Sequence, residues 1–165
     1  MKEVFVSQGA NGSLCSYIQA FVNPGDQLVT FEPMFPMYLD HVALCAGQIK
    51  TVPLTYTQSR WRFNGAELRA ALASGPTKML VLNSPHNPTG KVFSREEYEE
   101  ITSILKDFPE VVVLSDEVYD FLTFDDREHV HFASIGDNWD KTVSVFSGGK
   151  LLNATGWKVG WAVGP

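Results

Sequence analysis

Cysteine is scarce, positive charge is outnumbered, and no long apolar run interrupts this 165-residue sequence. The two cysteines, Cys15 and Cys45, have neither CxxC nor CxxH spacing. A disulfide framework is therefore not expected, and the plain reading is two reduced, partly buried thiols. Thirteen Lys and Arg stand against nineteen Asp and Glu, a net charge of -6. Nucleic acid and anionic membrane surfaces are poor partners for such a chain, since both demand a basic patch. No stretch approaches the roughly 20 apolar residues of a membrane-spanning helix, and the N-terminus lacks the apolar core of a signal peptide. The chain is read as soluble and is expected in the cytoplasm, with a mitochondrial address open to a longer form. Neither GxGxxG nor GxxxxGK[ST] occurs, which places a nucleotide-binding domain far down the order of readings.

What the sequence does have is alternation. Apolar residues make up 44% and charged residues 19%, ordinary for one globular domain. Strand-like runs at Val4–Ser7, Gln27–Phe31, Ile49–Leu54, Lys78–Leu82, Glu110–Leu114, Thr142–Phe146 and Lys158–Val163 are interleaved with helix-like runs. The helices are expected over Ser13–Val22, Phe35–Cys45, Asn64–Ala73 and Ser94–Lys106. Asn64 is placed to cap its helix, and Ser94 followed by Glu97 has capping-box spacing. Strands alternating with helices predict an α/β domain with a mostly parallel sheet and helices on both faces. Val111–Leu114 is apolar without alternation, as in a strand covered on both sides. Both ends of the sequence lie hard against strand-like segments, so the chain is expected to be part of a larger protein.

In parallel sheets, ligands bind beyond the carboxyl ends of the strands. Asn83 and the run Asn87-Pro88-Thr89-Gly90 follow one strand; Asp116-Glu117-Val118-Tyr119 follow another; Ser147-Gly148-Gly149-Lys150 follow a third. If these strands are neighbours, two amides, a carboxylate, a phenol and an ammonium gather on one rim. Each piece alone has a bland alternative. Asn-Pro-Thr-Gly is a turn signal, Asp116 could cap a helix, and most lone lysines are solvated. Together they suggest more. A carboxylate at a buried strand end needs a partner, which a protonated ring nitrogen would supply. Glycines beside Lys150 admit a bulky ligand, and a partly desolvated lysine is a competent nucleophile. Gly9-Ala10-Asn11-Gly12-Ser13 lies between a strand and a helix, where free amides can hold a phosphate without many cations.

In order and approximate spacing these four stretches resemble the fold-type-I, class I/II aminotransferases. NPTGKVFS at Asn87–Ser94 and ATGWKVGWAVGP at Ala154–Pro165 look most similar to the kynurenine–oxoglutarate transaminase branch, which includes enzymes described as glutamine transaminase K and cysteine-S-conjugate β-lyase. The resemblance implies the large domain of a pyridoxal 5'-phosphate enzyme, covering less than half of it over residues 1–165. It also implies roles. Lys150 would hold the cofactor as a Schiff base and shuttle a proton. Asp116 would pair with the pyridine nitrogen, Tyr119 and Asn87 would bond the phenolate oxygen, and Asn83 would lie beside Asn87. Phe35 would stack on the ring. Backbone groups of Ala10 and Asn11, the Ser147 hydroxyl and Lys158 would hold the phosphate. Asn11 stands where the branch usually has an aromatic residue, Leu151-Leu152-Asn153 replaces a more polar segment, and the connection Tyr56–Phe63 is short.

The implied reaction is transfer of an amino group from a kynurenine- or glutamine-like amino acid to a 2-oxo acid, by a homodimer. The arginine that takes the substrate α-carboxylate belongs to a small domain outside this sequence. A non-catalytic fragment that only binds the cofactor, or serves as an interaction module, is the competing expectation. His129 and His131 flank Val130 on one face, but with no third ligand nearby in sequence they are not expected to bind metal. His86 is expected either to line the cleft or to face solvent. Trp61-Arg62-Phe63 is expected to anchor a loop, and Arg95–Glu97 with Glu99-Glu100 to form a solvated helix face.

Overall fold

The computed structural model describes residues 3–165. It contains strands β1 (Val4–Gln8), β2 (Gln27–Glu32), β3 (Gln48–Pro53), β4 (Thr55–Thr57), β5 (Arg60–Arg62), β6 (Thr77–Asn83), β7 (Val112–Asp116), β8 (Thr142–Ser147) and β9 (Val159–Val163). Helices are α1 (Gly9–Phe21), α2 (Met37–Leu44), α3 (Gly65–Ala73), α4 (Arg95–Leu105) and the single turn α5 (Gly148–Leu151). A seven-stranded sheet runs in the order β1-β9-β8-β7-β6-β2-β3. From β3 across to β8 every pairing is parallel; β9 is antiparallel to both β8 and β1. The expected parallel sheet is present, and β9 is its exception.

Successive residues of the central strands explain the apolar runs. Val29, Phe31, Leu80, Leu82 and Val113 face one core, with Leu68 and Leu72 of α3 and Tyr98, Ile101 and Ile104 of α4. Leu28, Met79, Val81 and Leu114 face the other, with Leu14 and Ile18 of α1 and Tyr38 and Val42 of α2. Each strand therefore buries both of its faces, and helices cover the sheet on both sides. Phe93 stacks on Tyr98 at 5.6 Å, and Tyr98 meets Phe132 edge-on at 5.2 Å, contacts worth about 1 kcal/mol each beyond their burial.

The caps form as the sequence suggests. Asn64 accepts from the Ala66 amide at 2.9 Å, and Ser94 and Glu97 close a reciprocal capping box. Three expectations shift. Helix α1 starts at Gly9 rather than Ser13, so the small-residue loop is its first turn. Strand β7 runs on to Asp116, so Ser115 and Asp116 are its last residues rather than its followers. The short connection Tyr56–Phe63 forms the β4–β5 hairpin, in which Tyr56 and Trp61 pack at 5.3 Å.

Candidate active site

The strand ends decide where chemistry can sit. Asn83 and Asp116, the last residues of β6 and β7, are direct register partners, and Asp116 pairs on its other side with Val145 of β8. Asn83 ties them together. Its Nδ2 donates to the Asp116 carbonyl at 2.9 Å, and its Oδ1 accepts from the Asn87 amide at 2.7 Å. The buried amide thus clamps the β7 end and the Asn87 turn in place, a contact set the sequence had left open.

Beside these ends lies a cavity of about 210 Å³, lined by all ten of the residues singled out in the sequence. They are Ala10, Asn11, Phe35, Asn83, Asn87, Asp116, Tyr119, Ser147, Lys150 and Lys158. At one end, α1 presents its first turn with no side-chain cap and no acidic residue, leaving amides free for an anion. Gly160 makes this geometry: a Cβ there would lie 2.3 Å from the Ala10 nitrogen, so β9 can approach α1 this closely only as glycine. Ser147 caps α5 by accepting from the Lys150 amide at 3.2 Å, and its own O–H remains available to donate. Lys158 lies just before β9 rather than within it, in the left-handed conformation (φ 52), against Gly9.

At the other end Asp116 is fully buried. Burial pushes its carboxyl up to about 6, opposed by the Tyr38 hydroxyl and the Val118 amide and reinforced by neighbouring Glu117. Tyr38 donates to Oδ2 at 2.6 Å, whereas the Val118 amide is a distant 3.4 Å from Oδ1. A buried carboxylate with one good donor and open cavity in front of it is suited to a cationic partner. Between the two ends, the Lys150 ammonium lies 5.7 Å from the centre of the Tyr119 ring. Phe35 forms part of the wall, edge-on to Tyr38 at 5.7 Å.

The entire sequence, residues 1–165, matches the model of a family described as aminotransferase class I and II. The chain belongs to the class I and II aminotransferases. It is 40% identical to kynurenine–oxoglutarate transaminase of Dictyostelium discoideum and 38% identical to kynurenine–oxoglutarate transaminase 1 of Homo sapiens. Each alignment takes in 100% of this chain and 41% of the relative, so the chain spans about two-fifths of these proteins' length. The structure of N-succinyldiaminopimelate aminotransferase from Mycobacterium tuberculosis superposes with a TM-score of 0.94 at 36% identity, over 99% of this chain and 42% of that one. The fold is thus that of the fold-type-I large domain in this aminotransferase family.

Other polar groups of this aminotransferase chain differ from expectation. Tyr38, which the sequence did not single out, is 1% exposed and holds Asp116; its place three residues after Phe35, in the helix expected over Phe35–Cys45, was the available signal. Of the two places expected for His86, the structure shows the cleft: it is buried, with Nδ1 2.8 Å from the Thr89 hydroxyl. It lines a second, larger cavity of about 1000 Å³ that shares Tyr119 with the first. Glu97 is not merely solvated: it pairs with the buried ammonium of Lys91. Finally, a third ligand does stand beside the histidine pair, because the fold brings Glu117 against both His129 and His131.

Proposed function

We propose that this chain is the cofactor-binding part of a pyridoxal-phosphate-dependent aminotransferase large domain. One observation carries the proposal: the anion-ready start of α1, the buried Asp116 and Lys150 line a single cavity. In this reading the amides of Ala10 and Asn11, the Ser147 hydroxyl and the Lys158 ammonium hold the phosphate. Asp116 faces the protonated ring nitrogen, and the Tyr38 hydrogen bond favours its ionised form. Phe35 packs on the ring, and Tyr119 and Asn87 bond the ring's phenolate oxygen. Asn83 positions both Asp116 and Asn87 through its two hydrogen bonds.

When bound, pyridoxal phosphate supplies a ring that accepts the electron pair left on the substrate Cα after proton loss. Lys150 attaches the cofactor at rest. With the cofactor bound, the Lys150 Nζ would be the base that takes up the substrate Cα proton and holds it for return. The substrates proposed are a kynurenine- or glutamine-like amino acid and a 2-oxo acid, supported by the two transaminase relatives. β-Elimination from cysteine conjugates would draw on the same Cα deprotonation. A homodimer is proposed as well, supported by the exposed apolar residues Leu151, Leu152 and Trp157, which adjoin the cavity-lining Lys150 and Lys158 in sequence.

The experiment is a titration of the purified protein with pyridoxal phosphate. A visible absorbance band that appears in the wild type and is lost in Lys150→Ala supports the assignment, and absence of the band refutes it. Turnover of kynurenine or glutamine with a 2-oxo acid then separates an enzyme from a chain that only binds the cofactor.

A further inference from the structure

A second cluster of ligating side chains lies just behind the cavity, and the cofactor reading makes no use of it. Glu117 follows β7 and is fully buried, its side chain 0% exposed. Its Oε2 takes His129 Nε2 at 2.7 Å and also His131 Nδ1. Its Oε1 accepts from the Ser144 hydroxyl of β8 at 2.8 Å. The three ligand atoms lie within 4.8 Å of one another.

We propose that Glu117, His129 and His131 form a binding site for a divalent transition ion of the zinc class. Two imidazoles and one carboxylate suit zinc, cobalt or copper, and suit magnesium or calcium poorly. Metal–ligand bonds of about 2.0–2.2 Å space tetrahedral ligand atoms slightly further apart than these hydrogen bonds do. Small rotations of two side chains on the 117–131 connection open that space. Ser144 fixes the carboxylate from its far side, as an outer-shell partner does at metal sites, leaving Oε2 for the ion. The His131 side chain is half exposed, which provides an entry path and a fourth position for water.

Without metal, the buried Glu117 charge is met by its two imidazole neighbours. Metal entry frees both ring nitrogens that face Glu117: the proton on His131 Nδ1 leaves for solvent, and His129 passes from its Nε2–H to its Nδ1–H tautomer. Asp120 is the further acid facing His131; it adds negative potential without entering the ligand set. His129 Nδ1 is buried without a partner. A metal on Nε2 leaves the proton on that atom, which holds the affinity to a moderate rather than a very tight value. The bound ion would staple the connection that carries Tyr119 to β7 and β8.

The test is titration of EDTA-stripped protein with cobalt(II), following its visible d–d bands, then displacement by zinc. One equivalent per chain is expected, with affinity lowered at least about tenfold in His131→Ala and bands lost in Glu117→Gln. Because the His131 side chain is half exposed, its replacement leaves the fold intact, which circular dichroism checks. Absence of saturable bands, or equal affinity in wild type and His131→Ala, overturns the site and shows an ion pair only. The readout is independent of pyridoxal phosphate, so failure here leaves the cofactor reading untouched, and the converse holds too.

Discussion

Replacing Tyr38 by phenylalanine removes one buried oxygen that bonds Asp116 and isolates the electrostatics of that carboxylate. The lost hydroxyl is the one short donor to that carboxylate, at 2.6 Å, against 3.4 Å for the Val118 amide. Burial has already pushed the Asp116 carboxyl from 3.8 to about 6; at about 1.4 kcal/mol per pH unit, holding it ionised costs the fold ~3 kcal/mol. The sign follows from the direction. An acid raised on folding costs nothing below its unfolded value and an increasing amount as pH rises through its folded one. A hydrogen bond to the ionised acid contributes about 1.5–3 kcal/mol, and one to the neutral acid about 0.5–1.5. Tyr38→Phe should therefore destabilise the cofactor-free protein by ~2–3 kcal/mol near pH 8 and by only ~1 near pH 4.5. In a chain of this length the difference of ~1.5 kcal/mol corresponds to about 3–6 °C in Tm. Urea midpoints of both proteins at the two pH values, with unchanged m, measure it. Equal losses at both pH values, or no loss, would show that the hydroxyl does not support the charge.

Gly160→Ala places a Cβ 2.3 Å from backbone atoms of Gly9 and Ala10, forcing β9 away from α1. A loss of about 1–3 kcal/mol in stability and a drop of at least about tenfold in pyridoxal phosphate affinity are expected, the latter from absorbance titration; wild-type affinity would contradict the phosphate cradle. His86 is pushed down to about 4, first by burial and then by Lys91, so the folded protein keeps it neutral while the unfolded chain protonates. Stability is lost on this account as pH falls from about 6.5 to 4, by at most ~3 kcal/mol. His86→Gln should flatten the stability–pH curve across that window, and an unchanged slope would place the acid sensitivity elsewhere.

The sheet was legible because its strands carry apolar residues on both faces, and the site because polar residues crowd the ends of those strands. Asn83, Asp116 and Ser147 stand out against Leu80-Val81-Leu82, Val113-Leu114 and Val143, where a buried polar group demands a reason. Strand order was not legible, since β9 reads as an apolar run whichever way it pairs. Tyr38 was hidden for a related reason: a buried tyrosine in an amphipathic helix looks like core until its hydroxyl is seen to reach another element. The Glu117–His129–His131 cluster was missed because its carboxylate lies twelve residues before the first histidine, and only the fold closes that gap.

The position of β9 has a consequence for how the molecule assembles. The N-terminal strand β1 pairs with β9 alone, and β9 in turn completes the sheet against β8. The first turn of α1 is seated by Gly160, the second residue of that strand. The central strands from β2 to β8 can pair without either terminus. Strand β1 must instead wait for a strand made some 150 residues later, a contact of very high sequence separation that carries a large loop-closure cost. The sheet can therefore be largely built before its anion-holding corner exists, and that corner is expected to form late and to open first.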